Sequence, residues 1–157
     1  MTREEKFMME AIALSKNGMA NNEGGPFGCV IVKDDEIVGR GSNKVSSTND
    51  PTAHAEITAI RNACENLQTF QLSDCEIYTS CEPCPMCLGA IYWARPKVVY
   101  YANTRQDAAE IGFDDSMIYE EMSVAIEDRK IPILPIGRAE ALPVFAAWKE
   151  KGDKTLY

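Results

Sequence analysis

The chain has 157 residues, 45% hydrophobic and 25% charged, with 16 Lys and Arg against 24 Asp and Glu for a net charge of −8. That length suits a single domain, residues 1–157, with a core large enough to need no disulfides, and the composition excludes a largely disordered chain. No apolar run approaches the ~20 residues of a membrane span, the N-terminus opens no secretory segment, and the acidic balance argues against a nucleic acid as main partner; a cytoplasmic protein without membrane attachment is expected.

The first element is an amphipathic helix over residues 3–20. Phe7, Met8, Ala11, Ile12, Leu14 and Met19 fall near one stripe, and Thr2 with Glu5 has capping-box spacing. Gly24-Gly25-Pro26 ends it. Cys29–Val32 and Ile37–Gly41 read as a hairpin around the polar turn Lys33–Glu36. A turn-rich loop from Gly41 to Pro51 leads to a helix over residues 52–66, with Ile57, Ile60, Ala63, Cys64 and Leu67 inward. Glu76–Thr79 is a third strand. Pro83 and Pro85 mark a helix start, since Pro is tolerated in a first turn, and that helix stops before Pro96. Lys97–Tyr101 is a fourth strand. Short helices are expected at 106–110 and 116–122, an edge strand at Lys130–Leu134, and a last helix over 141–151 with Pro143 in its first turn. Helices alternating with strands argue an α/β sheet covered by helices.

Six cysteines, at positions 29, 64, 75, 81, 84 and 87, belong to a chain expected in a reducing compartment. Cys29, Cys64 and Cys75 lie in apolar segments and read as small core residues. The remaining three are closely spaced. Cys84 and Cys87 are three apart at a helix start and share a face, where free N–H groups and the dipole favour thiolate. His54 is the only histidine. Together, His54, Cys84 and Cys87 make a three-ligand zinc site whose fourth position takes water, the pattern of a catalytic centre. Glu56, two residues from His54, is then a proton shuttle rather than a ligand. The alternatives are weaker: an iron–sulfur run needs a fourth cysteine, and none follows Cys87; a zinc ribbon needs two knuckles; a redox dithiol has no support elsewhere. Cys81 is left as a non-ligand. Taken alone, Glu56 also reads as a carboxylate at a helix N-terminus, and His54 as a loop or capping residue.

The pairing of His54-Ala55-Glu56 with Pro83-Cys84-Pro85-Met86-Cys87 resembles the signature of zinc-dependent nucleobase deaminases. Longer blocks sharpen this: Gly24–Gly28, Ser47–Glu56, Thr79–Pro96 and Asp107–Ser116. Through them the chain resembles the short bacterial guanine deaminases of the cytidine-deaminase-like superfamily. The resemblance implies a three-layer α/β fold, a five-stranded mixed sheet with helices on both faces. It implies zinc-dependent hydrolysis of guanine to xanthine and ammonia, in purine catabolism or salvage. It further implies that Asn43 and Asp115 hydrogen-bond the purine base, that Phe27 and Trp93 line the pocket, and that a homodimer exchanges its C-terminal segments so that Tyr157 closes the partner's site. Each has a plainer reading. Asp115 can cap the following helix, Asn43 suits a turn, Phe27 and Trp93 suit a core, and Tyr157 suits a frayed end. Rival activities are a tRNA adenosine deaminase, a cytosine, cytidine or triazine aminohydrolase, and a binding module whose zinc is closed by a fourth ligand such as Cys81.

Overall fold

The computed structural model describes residues 1–157. The chain divides into two compact units, Met1–Asp115 and Ser116–Tyr157. The first begins with helix α1 (Arg3–Ala20) and the expected capping box: Glu5 N–H donates to the Thr2 hydroxyl at 3.2 Å, and Thr2 N–H to the Glu5 carboxylate at 2.7 Å. Strands β1 (Gly28–Lys33) and β2 (Glu36–Ser42) form the hairpin. Asp34 and Asp35 turn it with φ of 50° and 64°, the left-handed pair whose twist matches the strands. There follow α2 (Val45–Thr48), α3 (Ala55–Leu67), β3 (Glu76–Cys81), α4 (Pro85–Ala94), β4 (Val98–Asn103) and α5 (Arg105–Glu110).

The sheet runs β2-β1-β3-β4, with β3 and β4 parallel and the other pairs antiparallel. It has four strands, not the five expected. Lys130–Leu134 forms no strand: Pro132 has no N–H to offer a ladder, and the run pairs with no neighbour.

Alternation along the strands builds two cores. Cys29, Ile31 and Ile77 meet Ala55, Ala59 and Ala63 of α3 and Ile91 and Ala94 of α4 on one face. Val30, Val32 and Tyr78 meet Ala11, Phe7 and Leu14 of α1 on the other. Helices thus cover both faces. Cys29 and Cys75 are core residues and Cys64 packs against them, as their apolar contexts predict.

Helix α3 begins three residues later than expected, because Asp50 accepts from both Thr52 N–H (2.8 Å) and Thr52 Oγ1 (2.7 Å) and holds that segment as a turn. Its sheet-facing side is Ala55, Ala59 and Ala63 rather than a row of isoleucines; Ile60, Cys64 and Leu67 flank it, and Ile57 is only partly buried. The small faces match. A Cβ on Gly39 of β2 would lie 2.6 Å from both Ala59 O and Ala63 Cβ. Two α3 side chains also reach past β2: Asn62 Oδ1 accepts from Arg40 N–H at 2.9 Å, and Asn66 Nδ2 donates to Val38 O at 2.9 Å.

Arg3 ties α1 to the sheet. Its Nη1 donates to Glu76 Oε2 (2.8 Å) and the Tyr78 hydroxyl (3.2 Å), its Nε donates to Asp35, and Tyr78 donates to Glu76 at 2.7 Å. The Arg3 hydrogen bond, followed by that of Tyr78, holds the Glu76 carboxyl below its ordinary value. Tyr78 stacks on Tyr100 with centroids 4.8 Å apart.

The second unit holds α6 (Ser116–Ser123), a 3-10 turn (Ile126–Asp128) and α7 (Arg138–Glu150). Helix α7 starts three residues before the expected position, so Pro143 lies inside it rather than in its first turn. No residue of this unit is buried; Ile131, Leu134, Ile136 and Phe145 are each more than three-quarters exposed. No helix of the chain is long and apolar enough to cross a membrane.

Candidate metal centre

Two helix N-termini converge on the site. His54 is the N-cap of α3 and Cys84 the N-cap of α4, and neither end has a side-chain cap. Both caps have extended backbones, with ψ of 161° and 168°. This resolves the geometry of His54-x-Glu56: on a continuous helix the two side chains would diverge by ~200°, but His54 stands outside the helix and Glu56 lies in its first turn. Pro85 occupies the first turn of α4, where its missing N–H costs nothing.

The donor atoms of His54, Cys84 and Cys87 all lie within 4.8 Å of one another. His54 Nδ1 is 3.5 Å from Cys84 Sγ and 3.5 Å from Cys87 Sγ. Zinc bonds of about 2.0 Å to nitrogen and 2.3 Å to sulfur at tetrahedral angles put N and S about 3.5 Å apart. The residues therefore fit zinc in spacing as well as donor type. Cys81 stands outside this group; its Sγ is 3.6 Å from Thr104 O, and burial pushes its thiol up to about 11. A fourth protein ligand closing the site is not what this arrangement offers.

The charges follow from the packing. Cys84 is held low by hydrogen bonds from Cys87 and His54, while Cys87, the donor of that pair, is held high. His54 is raised, chiefly by its bond to Cys84. Glu56 is buried, and that burial pushes its carboxyl upward. Its Oε1 accepts from Thr79 Oγ1 at 3.0 Å, and its Oε2 lies 3.3 Å from Cys87 Sγ. A carboxylate beside the metal donors, raised by burial, is suited to taking up and releasing a proton.

Asn43, at the end of β2, is buried. Its Oδ1 accepts from Gly25 N–H (3.3 Å) and Val45 N–H (3.1 Å), and its own N–H donates to Phe27 O at 3.0 Å. Phe27 packs against the α3 core and meets Phe113 edge-on, centroids 4.9 Å apart. Asp115 is half-buried; desolvation raises its carboxyl, and the charge of Cys84 adds to this. Trp93 lies six residues beyond Cys87 on α4, about 9 Å of helix rise, and is 63% exposed. Tyr157 ends the second unit, also largely exposed. Sequence reasoning missed Thr79, Phe113 and Ser80, whose Oγ accepts from Gly28 N–H at 3.0 Å and fixes the start of β1.

Residues 1–103 match the family model for the cytidine and deoxycytidylate deaminase zinc-binding region. The chain belongs to this family. This deaminase is 55% identical to the guanine deaminase of Bacillus subtilis (strain 168) over 153 residues, 98% of each chain. The X-ray structure of the B. subtilis guanine deaminase superposes with a TM-score of 0.95, again over 98% of each chain. A guanine deaminase from Nitrosomonas europaea is 34% identical, with a TM-score of 0.66 over 69% of this chain and 63% of that one. The tRNA-specific adenosine deaminase of Aquifex aeolicus is 41% identical over 100 residues, 63% of this chain and 66% of the other.

Proposed function

We propose that this deaminase hydrolyses guanine to xanthine and ammonia. The observation that carries the reading is the site itself, a three-donor cluster beside one buried carboxylate, in a chain alike from end to end to a guanine deaminase. The tRNA adenosine deaminase reading has less support: the likeness to the enzymes of Aquifex aeolicus and Haemophilus influenzae spans 63% and 77% of the chain, and the net charge is −8, unsuited to an RNA backbone.

His54, Cys84 and Cys87 are the residues that hold zinc. Bound there, zinc would supply Lewis acidity to activate the attacking water. Glu56 accepts a proton from the attacking water, delivers it to the ring nitrogen beside the amino-bearing carbon, and then helps protonate the departing amine. Asn43 positions the base. Because two backbone N–H groups occupy its Oδ1, its NH2 group is the end that donates, matching an acceptor on the purine rim. Asp115 accepts from the ring N–H and amino groups of guanine. Phe27 and Trp93 form apolar walls.

Residues 1–157 act as one functional domain, and two copies exchange their C-terminal segments so that Tyr157 reaches the partner's pocket. The support is that Ser116–Tyr157 buries no residue of its own, so its apolar side chains need a cover. Size-exclusion chromatography with light scattering should give twice the 17.4 kDa chain mass; a monomer at working concentration would refute the exchange. Six free cysteines suit a reducing cytoplasm.

The test of the activity is guanine turnover by the zinc-loaded protein, followed as the ultraviolet change to xanthine. Glu56→Gln should keep zinc and lose at least ~10²-fold in rate. Full activity in that variant would refute the shuttle. No turnover by folded, zinc-replete wild type would refute the substrate.

A further inference from the structure

We propose that Thr79 is a positioning residue for Glu56, holding one carboxylate oxygen so that the other faces the metal donors; this rests on the reading of Glu56 as the proton shuttle. On β3, Ile77 joins the face packed by α3 and α4, while Tyr78 joins the α1 face. Alternation therefore puts Thr79 on the Ile77 side, one step closer to the site. Cys29, its partner on β1, is buried in the same layer, and its thiol donates to Val30 O rather than to Glu56. Thr79 is 1% exposed. A hydroxyl so deep in an apolar layer is unfavourable unless it is hydrogen-bonded, and its bond is to Glu56 Oε1, at 3.0 Å.

The carboxylate is thereby fixed at one end. Glu56 has three side-chain torsions, and the first turn of α3 alone leaves them free to rotate. With Oε1 on Thr79, Oε2 points to the metal side, 3.3 Å from Cys87 Sγ. Strand β3 is fixed between β1 and β4, so the hydroxyl is a stationary reference for a group that must hand over protons in two directions. Proton transfer depends steeply on such placement.

The experiment measures kcat and KM for guanine on the full-length zinc-loaded protein, with zinc content and thermal midpoint for each variant. Thr79→Val keeps the β-branched shape and removes the donor. It should lower kcat about 10- to 100-fold, the scale of a hydrogen bond to a charged group, with KM and zinc content unchanged. Thr79→Ser keeps the hydroxyl and should recover most of kcat. In a Glu56→Gln background, Thr79→Val should cost far less, because no carboxylate remains to aim. Should the Val variant fail to fold, Thr79→Ala must give the same loss. Wild-type kcat in Thr79→Val, an equal loss in Thr79→Ser, or an undiminished cost in the Glu56→Gln background would each overturn the assignment. Full activity in Glu56→Gln alone would instead overturn the shuttle, and Thr79's role with it.

Discussion

Placing a methyl group on Gly39 tests how the sheet positions the site. Gly39 has no positive φ, so alanine fits its backbone, and the unfolded chain loses entropy worth ~0.4–1 kcal/mol in favour of folding. Against this, the new Cβ would lie 2.6 Å from Ala59 O, 2.6 Å from Ala63 Cβ and 2.9 Å from Ala63 N. Carbon contacts settle at ~3.5–4.0 Å, so α3 must retreat by roughly 1 Å at that point. Its backbone cannot rotate away as a side chain could. Such overpacking costs ~1–3 kcal/mol, so the steric term wins and the net loss is about 1–2 kcal/mol. For a chain of this length the thermal midpoint should drop by roughly 2–8 °C, measured by calorimetry at fixed zinc, because bound metal raises the midpoint by itself. The displaced helix carries His54 and Glu56, so guanine turnover should fall as well, by up to ~10²-fold. An unchanged or raised midpoint together with wild-type turnover would refute the close α3–β2 approach as the device that places these two residues.

Two further outcomes are expected. Cys84→Ala should lose zinc, read by metal analysis after gel filtration, because two remaining donors hold the ion poorly; one zinc retained per chain would break the ligand assignment. Arg3→Met should destabilise the fold in a pH-dependent way. Glu76 is depressed in the folded chain relative to 4.5, so its contribution is fully present above that value and fades as pH falls through the folded one. The difference in midpoint between wild type and Arg3→Met should therefore be steady at neutral pH and shrink below about pH 4.5; a difference that grows in acid would refute the ion-pair account.

Much of the first unit was legible because its signals are local. The Thr2–Glu5 capping box, the Asp34-Asp35 turn and Pro85 at a helix start each act within a few residues. His54, Glu56, Cys84 and Cys87 were legible because metal chemistry restricts both residue type and spacing. What failed depended on distant partners. The face of α3 against the sheet is alanine because Gly39 lies opposite, a fact of the tertiary contact and not of either segment. Lys130–Leu134 has the apolar, β-branched character of a strand, but a strand exists only where another can pair with it. Thr79 went unnoticed because threonine in a strand is unremarkable until its neighbour across the layer is a buried carboxylate.

The two asparagines of α3 that bond to Val38 and Arg40 bear on how copies of this chain can associate. A sheet with two bare margins can recruit a neighbour on each side and grow into a filament. Here β2 and β4 are both outer strands, and on the β2 margin two outward groups, Arg40 N–H and Val38 O, are already taken by α3. The two amides thus blunt the β2 margin, since a strand from another copy would have to displace them before it could pair there.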